Sequence, residues 1–209
     1  MRPSMRNSLR VSVAGLLCLI WLTGCGSGAV MISGKLDTPE TAYTRGIKQL
    51  RAGSPTEAVA AFDHARTLDP GYAPAYEGLS RAALAQGKLD EAIRHIRVAK
   101  SKDTGYAPVW IVTGLLYTAA RRYSAAIAEY EEALRIDPDR LWAVETYLEL
   151  GNTYEKMGNA EQAHEAFVRV LALEPLHAQA RTAIRRTRQT LGPGFLTRLR
   201  HEGKTEIIP

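Results

Sequence analysis

The chain has 209 residues, 45% hydrophobic and 23% charged, with a formal net charge of +5; this suits one ordinary folded domain with tails and excludes a disordered or fibrous protein. The positive charge sits at the ends. Arg2, Arg6 and Arg10 open the chain, and seven Lys/Arg against two Glu follow residue 175, while Cys25 to Pro175 holds 17 basic and 20 acidic residues. A body so close to neutral gives no footprint for nucleic acid.

The first predicted element is the apolar run VSVAGLLCLIWL, Val11 to Leu22. As a helix it would rise about 18 Å, against the roughly 30 Å of a bilayer core, so it is too short to span. Positive residues, a short apolar core and then small residues form the layout of a secretory signal. The ending Leu22-Thr23-Gly24-Cys25 resembles the lipobox of bacterial lipoproteins. That resemblance implies cleavage before Cys25 and acylation of its sulfur and new amino group. Cys18 would leave with the signal (residues 1–24), and no thiol would remain for a disulfide. The covalent lipid on Cys25 is the only attached group implied, and no other cofactor is. Gly26, in place of Asp, resembles sorting to the outer membrane, with the domain on its periplasmic side. Residues 25–38, rich in Gly and Ser, read as a lipidated tether with an extended reach of about 45 to 50 Å.

A repeat follows. Asp69 to Tyr76 (DPGYAPAY) and Asp103 to Trp110 (DTGYAPVW) match at five positions, 34 residues apart. The same step relates Gly46, Ser80 and Gly114; Ala58, Ala92 and Ala126; Phe62, Ile96 and Tyr130; and Ala65, Ala99 and Ala133. A fourth unit with Gly151, Tyr154, Ala163, Phe167 and Pro175 is offset by 37, so three residues are added between Asp139 and Leu150. Small residues such as Gly46 with Ala58 let paired helices approach. Pro70, Pro138 and Pro175 stop the second helix of a unit. Gly53, Gly87 and Gly158 suit the turn within a unit, and Arg121 stands where the third unit should have its glycine. The spacing predicts helix pairs 39–52 with 55–68, 74–86 with 89–102, 107–120 with 123–136, and 141–157 with 160–173, then a capping helix over 176–191. The extra residues predict a longer first helix in the fourth unit.

These residues resemble the tetratricopeptide repeat, a helix-turn-helix unit of 34 residues. The resemblance implies an all-α, right-handed superhelical solenoid over 39–191. Its repeats fall at about 39–72, 73–106, 107–140 and 144–177, before the cap and a basic flexible tail over 192–209. Gly192-Pro193-Gly194 ends the last helix, and the residues beyond it are left to be disordered or to fold back.

Catalytic chemistry finds no support along the chain. There is no phosphate-binding G-x-x-x-x-G-K-[ST], no H-E-x-x-H and no C-x-x-C. His64, His95, His164, His177 and His201 are scattered, and the three on second helices are expected on the solvated outer face, so no metal site is expected. Glu131 and Glu132, neighbours on one helix, point about 100° apart and read as a solvated face. The chain is expected to be no enzyme and to take no small-molecule substrate or nucleic acid.

A partner protein is expected instead. The resemblance implies that first helices line a concave face that holds a peptide or helix. That face carries Tyr43, Ile47 and Leu50; Glu77, Arg81 and Leu84; Ile111, Leu115 and Thr118; then Leu148, Asn152 and Glu155. Tyr43, Ile47, Leu50, Leu84, Ile111 and Leu115 form a candidate apolar patch. Arg81, Leu148 and Asn152 complete the candidate groove. The lysines and paired asparagines of the family's carboxylate clamp are not matched. Arg181, Arg185, Arg186, Arg188, Arg198 and Arg200 are either a solvated cap and tail or a contact for anionic lipid or an acidic partner. Lipobox and short stack together resemble the pilotin and pilus-assembly lipoproteins, which implies a scaffold serving secretin or pilus assembly, with membrane contact through the lipid anchor. An adaptor for peptidoglycan enzymes and a homo-oligomeric structural component are the alternatives.

Overall fold

Thr38 caps the first described helix. Its hydroxyl accepts from the Thr41 amide, the Thr41 hydroxyl accepts from the Thr38 amide, and Pro39 fills the first helical position, where a missing N–H costs nothing. The computed structural model describes residues 37–137 and 140–195. Within them run α1 (Pro39–Arg51), α2 (Pro55–Leu68), α3 (Ala73–Ala85), α4 (Leu89–Lys102), α5 (Ala107–Ala119), α6 (Tyr123–Ile136), α7 (Ala143–Met157), α8 (Ala160–Leu173) and α9 (Ala178–Leu191), with no strand among the described residues. Cys25 and the rest of the signal and tether to residue 36, together with Pro138, Arg198, Arg200 and His201, lie outside the described residues.

The helices pair as α1/α2, α3/α4, α5/α6 and α7/α8, and each pair packs on the next, with α9 closing the row against α8. The first helices α1, α3, α5 and α7 also touch one another in sequence, which makes their side the inner face. The turn inside each pair needs a left-handed residue. Gly53 (φ 75), Gly87 (φ 74) and Gly158 (φ 84) supply it, and Arg121 takes φ 58 without being a glycine.

Aromatic wedges hold the pairs together. The Phe62 ring lies between Gly46 of α1 and Gly78 of α3, where a Cβ on either would fall 2.4 Å from the ring. Gly46 therefore makes room for Phe62, a more specific role than close approach to Ala58. Gly114 admits Tyr130 and Gly151 admits Phe167 in the same way, with a Cβ at 2.5 Å in each case. All three rings are fully buried.

Two expectations need correction. The added residues do lengthen the first helix of the fourth unit, to 15 residues against 13 in α5, but it begins at Ala143 rather than 141. The difference lies in the preceding loop. Arg140 turns to φ 54, and the buried Asp137 carboxylate accepts from the amides of Leu141 (3.0 Å) and Trp142 (2.7 Å). The capping helix likewise begins at Ala178, because the His177 ring accepts from the Ala180 amide and ends the loop there.

Candidate functional site

The inner face is built from α1, α3, α5 and α7. Its centre is a polar seam on the repeat step of 34. Tyr43 of α1 and Glu77 of α3 occupy equivalent positions, and the Tyr43 hydroxyl donates to Glu77 Oε2 at 3.0 Å. Glu77 is completely buried. Arg81, one turn along α3, donates through Nε to Glu77 Oε1 and through Nη1 to Glu145 Oε1 of α7 at 2.7 Å. The Tyr106 hydroxyl, just before α5, lies 3.4 Å from that of Tyr43.

Two of these links skip a unit. Tyr43 to Tyr106 runs from the first pair to the third, and Arg81 to Glu145 runs from α3 past α5 to α7. Burial raises the Glu77 carboxyl above its usual range, and Arg81 and the Tyr43 hydroxyl oppose that rise. Burial also works against the charge on Arg81, but Glu77 and Glu145 outweigh it and hold the guanidinium charged. Tyr43 and Tyr106 are both raised by burial and by the nearby Glu77 charge, so both hydroxyls stay protonated donors.

The remaining candidate residues divide. Ile47 and Leu50 are half-buried and pack, with Tyr43, against Ala58, Phe62, Leu79 and Ala82. Leu84 is half-buried against the cluster of Ala83, Ile96 and Val112. Leu148 packs, half-buried, toward the cluster that Ala180, Ala183 and Ile184 of α9 complete. Leu115 is half-buried on α5. Asn152 donates to Glu149 Oε2 at 3.4 Å, and burial raises the Glu149 carboxyl, opposed by this bond. Ile111 is a correction. It is fully buried, packed with Ala126, Tyr130, Ala133, Leu150 and Ala166, and presents nothing to a partner. It belongs to α5, which the Arg81–Glu145 bridge passes over.

His164 is a second correction. It stands on a second helix but is buried rather than solvated. Its Nδ1 lies 3.0 Å from the Thr187 hydroxyl, and Phe195 folds back edge-on to its ring at 5.2 Å.

Glu145 and Tyr106 complete the seam without standing out in the sequence. Glu145 lies one turn before Leu148, the position that the 37-residue offset aligns with Ile111. Glu77 sits in plain view on the face, four residues before Arg81, but nothing in the repeat pattern marks it as buried. Its signal is a charged residue at a position where the flanking units carry Tyr43 and Ile111.

Two family models, both described as tetratricopeptide repeat, match residues 49–114 and 107–173. The chain is a tetratricopeptide-repeat protein. Its all-α helix-turn-helix architecture and its role as a scaffold for protein–protein contact follow from that membership. Among curated proteins, the auxiliary subunit of the N-terminal acetyltransferase A complex of Arabidopsis thaliana is 35% identical over 104 residues, 48% of this chain. The match spans only 11% of that subunit, so it reports shared repeats. Among solved structures, a thermophilic tetratricopeptide-repeat protein of Thermus thermophilus superposes with a TM-score of 0.65 at 24% identity, over 74% of this chain and 82% of that one. Pseudomonas aeruginosa PilF superposes with a TM-score of 0.61 at 22% identity, over 71% and 67%. At such identity both structures bear on fold alone. The tetratricopeptide framework explains why Tyr43, Glu77 and Ile111 share a register.

Proposed function

We propose that this tetratricopeptide protein is a lipid-anchored scaffold of the bacterial envelope. In this reading Cys25 carries the lipid, the domain stands on the periplasmic side of the outer membrane, and the inner face holds an extended or helical segment of an envelope protein. The observation that carries the proposal is the inner face itself. It is tied in advance across units by Tyr43, Glu77, Arg81 and Glu145, and it leaves Arg81, Leu115 and Asn152 partly open at one repeat register, with Leu84 partly open a turn along from Arg81. A surface fixed before the partner arrives loses little further freedom on binding. The client we favour is a component of pilus or secretin assembly, on the layout of lipobox and short repeat stack.

Two experiments test it. A photoreactive residue in place of Leu115 should crosslink to one envelope protein, absent from a strain lacking the secretin. Leu115→Asp should weaken that contact about tenfold, the loss expected when an apolar contact becomes charged. Ile111 is unsuited to this test, since a charge there would disturb the core. Cys25→Ser should remove palmitate labelling and release the protein from the membrane fraction. Crosslinking that persists without the secretin would reassign the client, and labelling that survives Cys25→Ser would end the anchoring proposal.

A further inference from the structure

The last described helix has a charge pattern unlike the rest of the stack. From Leu176 to Phe195 the chain carries four arginines and no acid, whereas Cys25 to Pro175 has slightly more acids than bases. On α9, Ala180, Ala183, Ile184 and Thr187 are buried against the stack. Arg186 turns to the inner side and pairs with Glu155 at 2.8 Å. Arg181 and Arg185, four residues apart, point about 40° from one another and form a short stripe on the exposed side of the helix, while Arg188 is only partly exposed. Arg181 and Arg185 are exposed, and among the described residues no carboxylate pairs with either; Arg185 meets only the Thr182 hydroxyl, at 3.4 Å. Beside the start of α9 stands Leu176, 84% exposed, more than any other large hydrophobic residue among those described.

We infer that this corner of the domain, the arginine stripe of α9 with Leu176 beside it, lies on a surface of anionic phospholipid and sets how the stack faces its membrane. The inference rests on the anchoring proposed above. Three features favour lipid over an acidic protein. Guanidinium groups match phosphate geometry and shed water readily. An exposed leucine just before a basic helix can enter the interfacial region while the arginines meet headgroups. A tether of about 14 residues keeps the domain within roughly 50 Å of the bilayer, so even a weak contact is populated. The near-neutral body offers that surface no comparable attraction, which leaves the α9 corner as the end that turns toward it.

The test uses the full chain in its processed, lipidated form, with Gln189→Cys on the exposed side of α9 carrying a polarity-sensitive fluorophore. The protein is placed in vesicles of phosphatidylethanolamine with phosphatidylglycerol, or of phosphatidylcholine alone. Flotation reports the anchor and emission reports the helix. The expected result is flotation with both lipids, and a blue shift only with phosphatidylglycerol that high salt removes. Arg181→Gln and Arg185→Gln should each lower the contact equilibrium roughly fivefold while flotation stays intact. Equal emission in both vesicles with flotation retained overturns the inference and leaves the anchor standing. A shift that appears only when polyglutamate is added gives the stripe to an acidic protein surface and also overturns it. Loss of flotation refutes the anchor and this inference with it.

Discussion

Replacing Arg81 with leucine is the sharpest probe of the inner seam. Glu77 has no exposed surface, and its partners are Arg81 and the Tyr43 hydroxyl at 3.0 Å. Arg81→Leu leaves that carboxylate buried with one neutral donor, and removing one partner of a buried pair costs about 3 to 5 kcal/mol. The apparent Tm should fall by about 6 to 20 °C, since roughly 2 to 4 °C accompany each kcal/mol at this size. Glu77→Gln should cost less, about 1 to 2 kcal/mol, because Arg81 keeps Glu145 at 2.7 Å and the glutamine still accepts from Tyr43. The double change Glu77→Leu with Arg81→Leu should recover much of the single-variant loss, as apolar replacement of a buried pair often does. Acidity supplies the decisive contrast. Burial raises the folded-state pKa of Glu77 above its unfolded value, and losing Arg81 raises it further. The stability of the neutral form is present below the unfolded value, about 4.3, and is lost as pH rises through the folded value. The deficit of Arg81→Leu relative to wild type should therefore be large at neutral pH and small near pH ~4. Urea unfolding followed by circular dichroism at both pH values measures it. A deficit as large near pH ~4 as at neutrality, or an Arg81→Leu loss no greater than that of Glu77→Gln, refutes a charged Glu77 held by Arg81.

Gly114→Ala should destabilise by about 1 to 3 kcal/mol in thermal melts, because its Cβ would fall 2.5 Å from the Tyr130 ring. Gly87→Ala meets no atom within 4 Å but keeps φ 74, so its loss should be about 1 kcal/mol and should leave the near-ultraviolet spectrum of the aromatic wedges unchanged. Arg121→Gly should stabilise by about 0.5 to 1 kcal/mol in the same melts, since φ 58 then suits the residue. The Asp37 carboxyl, which accepts from the Thr41 hydroxyl and from Arg45, with His64 also against it, is held down to about 2. Its support for the start of α1 should be present above the usual aspartate value and fade as pH falls toward about 2, which a carbon-detected NMR titration of that side chain would follow.

The sequence revealed the stack because its spacing is enforced by contacts between neighbouring units. Phe62 needs small residues facing it, and Gly46 lies one helix back at the repeat register. Gly53, Gly87 and Gly158 announce three of the four turns, and even Arg121 is found by position. The inner face was only half legible. Periodicity places Tyr43, Glu77 and Ile111 at one register but does not say which of them the curvature covers. Ile111 goes under because Tyr130 and Leu150 close around it. Glu145 joins because Arg81 is long enough to cross α5, a contact between units that are not neighbours. His164 has an amphipathic setting in sequence and is buried only because α9 and Phe195 pack back over α8.

Those links between distant units bear on how the scaffold works. In a solenoid each repeat ordinarily contacts only its neighbours, so bending at one interface is independent of the next. Here Tyr43 reaches Tyr106 and Arg81 reaches Glu145, and each link spans two interfaces at once. Opening the curve at either α3/α5 or α5/α7 would strain the Arg81 bridge and expose the desolvated Glu77 pair. Coupling of this kind favours one curvature of the row over others. On the function proposed above, a partner segment that fits that curvature would meet Leu84, Leu115 and Asn152 in fixed positions. On that reading, one that needs a flatter face would first have to stretch the Arg81–Glu145 bridge. If the proposed partner docks on this inner face, its selection would come as much from the shape held by Arg81 and Glu145 as from the side chains left open to touch.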